Sequence, residues 1–319
     1  MRGCDNISQG ITVFLVLAVI FVNGATDAPN SIAGAVGSGV LKYRSACILC
    51  AVFNFLGLVI ASTYFPSVTK SIESISIDRM TAIPLITVII FSSVAWFFGI
   101  PTSESHALVA SLGGVSLYTA GKLGTRFIGI CVKSAASCAG GFGIGALFVV
   151  ILSPLFHRGR LMTRGNNRKK LQGFCAAFSA ACHGMQDGQK FTAMLIPATA
   201  VGVLPASAVM ICSAVMGMGC LAGGRRITKK LGEDMIVSSG ADSAASDAGA
   251  LVCTLVSTFL GIPVSTTYMK TCSMLGAAAA IKAPVNRRVV LELVGTWVAT
   301  YPVCMMMSYL LCLLRELII

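Results

Sequence analysis

Apolar stretches recur along the whole chain, and short polar segments separate them. A helix needs roughly 20 apolar residues to cross a bilayer core of about 30 Å, and many of these stretches approach that length. The pattern predicts ten helices, five in each half, so we expect an all-α polytopic membrane protein. The predicted helices lie at residues 11–40, 46–65, 82–98, 104–119, 127–156, 174–204, 206–221, 248–260, 266–280 and 289–314.

A polar motif with an ionisable side chain interrupts the first predicted helix. The motif NGATDAPN, at residues 23–30, follows the apolar run at residues 11–22. Because a carboxylate at membrane depth costs at least about 2.5 to 3.5 kcal/mol, Asp27 is expected to face a polar cavity, a cation or a partner. Gly24 and Pro29 both weaken a helix, so we predict a broken helix whose freed backbone groups line a cavity.

Both halves of the chain carry the same two motifs in the same order. The motif HGMQDGQK places Asp187 160 positions after Asp27. A second motif occurs as GIPTSESH, with Ser103 76 positions after Asp27, and as GIPVSTTY, with Ser265 78 positions after Asp187. A duplicated membrane chain with interrupted helices at corresponding positions is typical of secondary transporters.

The odd number of helices per half predicts two repeats of inverted topology. We place the first repeat at residues 1–156, a basic linker at residues 157–172 and the second repeat at residues 173–319. The segments that begin near Ser103 and Ser265 open with a proline followed by Ser, Thr or Glu, which is a helix-start signature. We predict re-entrant hairpins there rather than full spans.

Composition excludes several other classes of protein. With 55% hydrophobic residues, 11% charged residues and a mean hydropathy of +0.84, the chain is not typical of a soluble protein. The net charge of +12 comes from basic residues in short loops, so we expect no nucleic-acid partner. The 13 cysteines are scattered through apolar segments as small hydrophobic residues, and their spacing supports no metal site.

The positions of the basic residues predict the orientation. Of the 24 Lys and Arg residues, fifteen fall in loops on the side of the linker, six fall on the other side and three fall within spans. Basic loops stay in the cytoplasm, so we expect a cell-membrane protein with a cytoplasmic linker and both termini outside. Lys133 and Lys270 lie near span ends, where snorkelling to the interface is expected. Lys190 is not near a span end.

The duplicated motifs resemble those of the inorganic phosphate transporter (PiT) family over nearly the whole chain. The first pair resembles its GAND-x-A-N signatures, and the second pair resembles its G-x-P-x-S-T-T-H segments. The resemblance implies an ion-coupled importer of inorganic phosphate that works by alternating access and is not an enzyme. The chain departs from the family pattern at Thr26, Pro29, Glu104, Gln186, Gln189, Lys190 and Tyr268.

The motifs predict two kinds of binding residue. Oxygen ligands suit a hard cation such as Na⁺, or a proton on a carboxylate, and we assign the coupling ion to Thr26, Asp27, Gln186 and Asp187. We predict no metal beyond a Na⁺ at Asp27 and Asp187, no cofactor other than the coupling ion and no catalytic residue.

The anionic substrate needs hydroxyl groups, N–H groups and positive charge, which helix N-termini and Lys190 can supply. Glu104 is assigned either to proton coupling or to capping its helix, and Lys190 either contacts the anion or balances Asp187. The residues predicted to bind substrate are Asn30, Ser103, Ser105, Lys190, Ser265, Thr266 and Thr267.

Three alternatives stay open from the sequence. A sulfate permease of the same fold carries another tetrahedral oxyanion, whereas a passive anion channel needs no paired carboxylates. An intramembrane enzyme would use His183 or His106 as its base and a serine as its nucleophile. Phosphate and the lipid bilayer are the expected partners, and the oligomeric state is left open.

The charge count makes a prediction about the linker. In a chain whose native cysteines have been replaced, Gly165→Cys is expected to react only with membrane-permeant thiol reagents, because the linker faces the cytoplasm. Labelling of intact cells with permeant and impermeant reagents measures this. Labelling from outside would contradict the predicted orientation.

Overall fold

Helices account for the regular structure in the described part of the chain. The computed structural model describes residues 2–74, 82–158, 165–198, 204–235 and 240–318. The helices of the first half are α1 (Arg2–Thr26), α2 (Ala28–Gly37), α3 (Tyr43–Tyr64), α4 (Ser67–Glu73), α5 (Ala82–Phe98), α6 (Glu104–Ala120) and α7 (Thr125–Arg158). Those of the second half are α8 (Gly165–His183), α9 (Gln189–Thr192), α10 (Ala206–Ala222), α11 (Arg225–Lys229), α12 (Gly240–Phe259), α13 (Thr266–Ala280) and α14 (Arg287–Ile318).

The predicted all-α fold is confirmed, and eight of the ten predicted helices each overlap one observed helix. The predicted helix at residues 11–40 overlaps α1 and α2. The one at residues 174–204 overlaps α8, α9 and the helical turns beside α9, and its residues 199–203 lie outside the described ranges. Four helical stretches in the described ranges are long and apolar enough to cross a membrane alone: Gly10–Gly37, Tyr43–Tyr64, Phe127–Pro154 and Arg287–Leu317. Helix α10 and the segment Arg225–Asp234 form a pair bent by 67° that adds a fifth candidate. Helices α6 and α13 have 17 and 15 residues, which is short for a full span, and the re-entrant arrangement stays a prediction.

The helices follow the same order in both halves. An interrupted helix comes first. A helix of 22 residues (α3) or 17 residues (α10) follows, then one of 7 residues (α4) or 5 residues (α11), and then three further helices. Gly99 and Gly261 both have φ of +66°, a left-handed conformation that suits glycine, and each turns the chain toward the second motif. The inverted orientation of the two halves and the repeat boundaries stay predictions. Helix α8 begins at Gly165, so the described end of the predicted linker is helical.

The two interrupted helices differ in form. The break between α1 and α2 is confined to Asp27, which is shorter than the predicted break from Gly24 to Pro29. Pro29 lacks an N–H group and so cannot complete the helical hydrogen bonds there. In the second half, Gly184–Gly188 forms a π-helical turn that contains the second aspartate, and a 3₁₀ turn follows α9 at Ala193–Ala198. Such turns widen or tighten a helix without ending it.

Glycines bring pairs of helices into close contact. A Cβ atom on Gly145 of α7 would lie 2.2 Å from the Ser273 carbonyl oxygen of α13, and one on Gly219 of α10 would lie 2.2 Å from the Phe21 carbonyl oxygen of α1. Within a bilayer the lipid is as apolar as the helices, so this close packing is a main source of helix association. These contacts fix the frame in which the polar motifs meet.

The contact at Gly145 makes a prediction about stability. Gly145→Ala is expected to lower the free energy of unfolding by about 1 to 3 kcal/mol, because the new methyl group collides with the backbone of α13. Gly143→Ala is the matched control on the same helix, since a Cβ there has no atom within 4 Å. Melting temperatures of the purified proteins in detergent compare the two variants, and equal temperatures would contradict the packing explanation.

Candidate functional site

Two buried aspartates meet in the middle of the chain's fold. Asp27 lies at the break between α1 and α2 and is 1% exposed, whereas Asp187 lies in the π-helical turn and is fully buried. One oxygen from each carboxylate and one ring nitrogen of His183 all lie within 4.8 Å of one another. The N-termini of α6 and α13 complete the cluster. The two carboxylates that the sequence separates by 160 positions therefore share one site.

Asp27 is held by a hydroxyl group from the other half of the chain. Thr267, near the start of α13, donates from Oγ1 to Oδ1 of Asp27 at 2.8 Å. The Asn30 amide donates to the same threonine oxygen at 2.5 Å and reaches Oδ1 of Asp27 at 3.5 Å. A predicted coupling-ion residue and two predicted substrate residues thus form one hydrogen-bonded group.

Asp187 is held by the equivalent residues in the opposite direction. Ser105, near the start of α6, donates to Oδ1 of Asp187 at 3.0 Å. Ser105 has the same place after Gly99 as Thr267 has after Gly261. Lys190, which corresponds to Asn30, donates to the Ser105 oxygen at 2.7 Å and forms an ion pair with Asp187. Each aspartate is therefore paired with a hydroxyl group of the opposite half.

The ammonium group of Lys190 has all its donors engaged. It contacts the Asp187 carboxylate, the Ser105 hydroxyl and the backbone carbonyl of Val264. A lysine has three N–H donors, so none is left over in this conformation. Of the two roles predicted for Lys190, the structure shows the pairing with Asp187.

His183 approaches Asp187 from one turn earlier in the helix. Its Nε2 atom lies 3.1 Å from Oδ2 of Asp187, and its Nδ1 atom lies 2.6 Å from Oδ1 of Asn54. The Asn54 amide nitrogen donates to the Cys50 carbonyl at 2.9 Å, which turns its Oδ1 toward the imidazole. Nδ1 therefore carries the proton, and in the neutral ring the lone pair on Nε2 faces a carboxylate oxygen. A proton or a cation between them removes that repulsion.

Glu104 brings a third acidic group to the site. It is fully buried at the start of α6, where it accepts hydrogen bonds from Asn23 at 3.1 Å and from the Thr26 hydroxyl. It also interacts electrostatically with Asp27. Oδ2 of Asp27 has no hydrogen-bond donor among the described residues. Two neighbouring carboxyl groups and an unmatched oxygen make this a suitable place for a proton or a small cation.

The remaining predicted residues occupy the edge of the cluster. Ser103 and Ser265 cap α6 and α13 by accepting hydrogen bonds from the backbone N–H groups three residues on, each at 3.2 Å. Thr266 donates to Oδ2 of Asp187 at 2.8 Å. The Gln186 amide donates to Thr258 and to the Ile262 carbonyl, so that amide group fixes the turn before α13.

Two polar partners of the site were not predicted from the sequence. His183 lies four residues before Asp187, and that spacing places both side chains on one helix face, so the signal was present. Asn54 comes from α3, and nothing in its sequence context indicates that it orients the histidine. Neither residue had been assigned to the predicted site.

A small cavity borders Asp27 and His183. Its volume is about 20 Å³, enough for one water-sized species. In this conformation the cavity suits a water molecule or a small ion rather than a larger anion. Its polar lining includes Asp27, Asn30, Ser31, His183, Thr254, Thr266 and Lys270.

Comparison with known proteins defines the class of protein. The model of the phosphate transporter family matches residues 23–170 and 162–308. The chain belongs to this family, which confirms the family resemblance of its duplicated motifs and makes it a multi-pass membrane protein.

Two curated relatives and one solved structure are similar over almost the whole chain. The chain is 30% identical over 310 residues to a probable low-affinity inorganic phosphate transporter of Bacillus subtilis, with 92% of both chains covered. It is 31% identical over 306 residues to a protein of the same description from Rhizobium meliloti, with 91% of both covered. A solved structure titled the sodium-dependent phosphate transporter has a TM-score of 0.78 at 18% identity, and the match covers 98% of this chain and 99% of that one. At this identity the structural match shows the fold.

The pairing of Lys190 with Asp187 makes a prediction about stability. Lys190→Gln is expected to destabilise the protein by about 3 to 5 kcal/mol, because it leaves a buried carboxylate without its partner. Adding Asp187→Asn to that variant is expected to recover part of the loss, since both groups are then neutral. Thermal melting without phosphate compares the single and double variants. A double variant no more stable than the single one would show that the pair does not balance charge.

Proposed function

We propose that this protein is a secondary active transporter that imports inorganic phosphate across the cell membrane, driven by Na⁺ or H⁺. Membership of the phosphate transporter family and the names of its relatives support phosphate as the substrate. The proposal includes alternating access between the two halves, and no enzyme activity. The distribution of basic residues supports a cytoplasmic linker at residues 157–172 and termini outside.

One observation carries the coupling part of the proposal. Asp27, Glu104 and Asp187 are all buried at the centre, and among the described residues only Asp187 of these three acids has a lysine against it. An anion that enters beside an ionised carboxylate at about 4 Å meets a repulsion of about 4 kcal/mol at an effective dielectric constant near 20. Phosphate therefore binds only after a cation or a proton has neutralised the remaining acids. This requirement links the two transported species.

The hydroxyl groups provide a second link between ion and anion. Ser105, Thr266 and Thr267 now donate their hydrogen bonds to the aspartates. When a cation or proton neutralises those carboxylates, their acceptor strength falls, and the hydroxyl groups can turn toward an anion. The N-termini of α6 and α13 lie beside them and add positive potential. Asn30 is the neighbouring amide donor.

Na⁺ and a proton would be held by different atoms of this site. Oδ2 of Asp27 and Oδ2 of Asp187 can both act as oxygen ligands of Na⁺, with the lone pair of His183 nearby. A proton would instead lie between Asp27 and Glu104, or on His183 facing Asp187. Both arrangements use the residues predicted for coupling, together with His183.

The carboxyl groups also favour phosphate over sulfate. At neutral pH phosphate carries at least one hydroxyl group, which donates a hydrogen bond, whereas sulfate has none. Asp27, Asp187 and Glu104 are the acceptors that such a donor would meet. Sulfate in the same place would leave an acceptor unmatched, and buried unmatched acceptors cost about 1 to 3 kcal/mol.

With His106 as the base, the enzyme alternative lacks an orienting group among the described residues. His106 contacts the Ser134 hydroxyl through Nε2, which resembles a base and a nucleophile. Its Nδ1 atom has no hydrogen-bond partner among the described residues, so no acid in that part of the chain holds the imidazole. His183 is occupied by Asn54 and Asp187. Transport explains the buried acids, whereas hydrolysis does not require them.

Purified protein in proteoliposomes tests the proposal directly. Uptake of radiolabelled phosphate and sulfate is measured with an inward Na⁺ gradient, with an inward proton gradient and with neither. We expect phosphate accumulation above its equilibrium level under one gradient, and much weaker sulfate uptake. Equilibration that no gradient can drive further would identify a passive channel and contradict the proposal.

Neutralising either aspartate is expected to abolish this accumulation. Asp27→Asn removes a carboxylate that would bind the coupling ion, while the amide keeps the shape of the side chain. Asp187→Asn does the same but also leaves Lys190 without its partner, so it is compared with the Asp187→Asn, Lys190→Gln double variant. Glu73→Gln, on an exposed position of α4, is the control and is expected to transport like the unmodified protein. Near-normal accumulation by either asparagine variant, inserted in the membrane at normal levels, would rule out that aspartate as a coupling residue.

A further inference from the structure

A second buried lysine borders the same cavity. Lys270 of α13 is 3% exposed, and its Nζ atom lies 2.6 Å from Oδ1 of Asp247 on α12. The Gln172 amide donates to the other oxygen of Asp247 at 3.2 Å. The prediction that Lys270 snorkels to the membrane surface is therefore wrong. A carboxylate on the neighbouring helix keeps its ammonium group inside the protein.

At the corresponding positions of the first half, two leucines stand in place of this ion pair. Leu85 lies as far before Gly99 as Asp247 lies before Gly261, and Leu108 lies as far after Gly99 as Lys270 lies after Gly261. Both leucines are fully buried in one apolar cluster. The same arrangement of helices thus packs with two leucines in one half and with two charges in the other. Since a buried ion pair is often no more stabilising than apolar residues of similar size, packing alone does not account for it.

Lys270 differs from Lys190 in what its ammonium group contacts. Among the described residues, it forms an ion pair with the Asp247 carboxylate at 2.6 Å and donates to the Ser31 carbonyl at 3.5 Å, which is at the limit of a hydrogen bond. At least one of its three N–H donors is therefore left for a ligand. Lys270 also lines the cavity beside Asp27, Asn30 and Thr266.

We propose that Lys270 forms an anion subsite at this cavity once the cavity widens from its present volume of about 20 Å³ to admit the anion. The ammonium group of Lys270 then binds one oxygen of a tetrahedral oxyanion. Asp247 and Gln172 position that ammonium group, while Lys190 stays with Asp187 and does not contact the anion. This inference rests on the proposed function, because inorganic phosphate is the oxyanion in question. The positive charge that meets phosphate then comes from the second half of the chain, where Lys270 stands at the position that corresponds to Leu108 in the first half.

Neutralising the pair together tests the subsite without leaving a buried charge. The double variant Lys270→Gln with Asp247→Asn is expected to bind inorganic phosphate roughly tenfold to a hundredfold more weakly, as expected for the loss of one charged hydrogen bond. Binding of radiolabelled phosphate to purified protein, at a fixed pH and a saturating Na⁺ concentration, measures this. Melting temperatures show whether the variant is folded.

A matched control neutralises an ion pair away from the cavity. Lys230→Gln with Glu292→Gln removes a pair on the surface, and phosphate binding is expected to be unchanged. Lys270→Arg keeps the positive charge and is expected to retain more affinity than Lys270→Gln.

The outcomes separate the subsite from the proposed function. If the unmodified protein binds phosphate and the Lys270→Gln, Asp247→Asn double variant binds it equally well, the subsite is overturned and the proposed function stands. The subsite is also overturned if Lys270→Gln alone weakens binding and the added Asp247→Asn restores it, because Lys270 would then only balance Asp247. If the unmodified protein binds no phosphate, whether with saturating Na⁺ or at any pH tested, both proposals are contradicted.

Discussion

The central constraint on this protein is the burial of acidic side chains at the depth of a membrane. An ionised carboxylate there is costly unless hydrogen bonds, a cation or a proton compensate it. The fold supplies part of that compensation. Asp27 and Asp187 receive hydroxyl groups from the start of a helix in the opposite half, and Asp187 also receives an ammonium group. The compensation for Asp27 and Glu104 is incomplete, and the proposed coupling ion completes it.

The duplicated motifs give both aspartates an equivalent hydroxyl partner, and the residues that differ between the two copies give them different charged neighbours. The pairs formed by Thr267 with Asp27 and by Ser105 with Asp187 are equivalent. Two other corresponding positions differ between the halves: Lys190 corresponds to Asn30, and Glu104 corresponds to Thr266. The two substitutions put a fixed positive charge beside one aspartate and an additional acid beside the other. The two carboxylates therefore have different charged neighbours, although both lie in copies of the same sequence motif.

Hydrogen bonds at the site and close helix packing around it both join the two halves. Hydrogen bonds to charged groups contribute about 1.5 to 3 kcal/mol each, and a handful of them joins α6 and α13 to the aspartates. Glycine contacts such as Gly145 against Ser273 instead hold helices together along their backbones. Opening the site while helix pairs such as α7 with α13 stay intact is thus the less costly movement.

The sequence by itself determined the class, the family and most of the residues at the centre. Hydrophobic length located the helices, and the repeated spacing around Asp27 and Asp187 predicted that the two carboxylates belong to one site, where the structure places them close together. These features are local or periodic, so they can be found without knowing which helices touch. The sequence also showed that Lys190 departs from its counterpart Asn30.

Only the tertiary structure decided which groups compensate one another. Asp27 meets Thr267 and Lys270 meets Asp247 because helices distant in sequence pack together, and no spacing rule encodes those pairs. Lys270 was misjudged for this reason: its distance from the end of a span is visible in the sequence, but a carboxylate on the neighbouring helix is not. The forms of the two breaks, a single residue at Asp27 and a π-helical turn at Asp187, likewise depend on the helices that surround them.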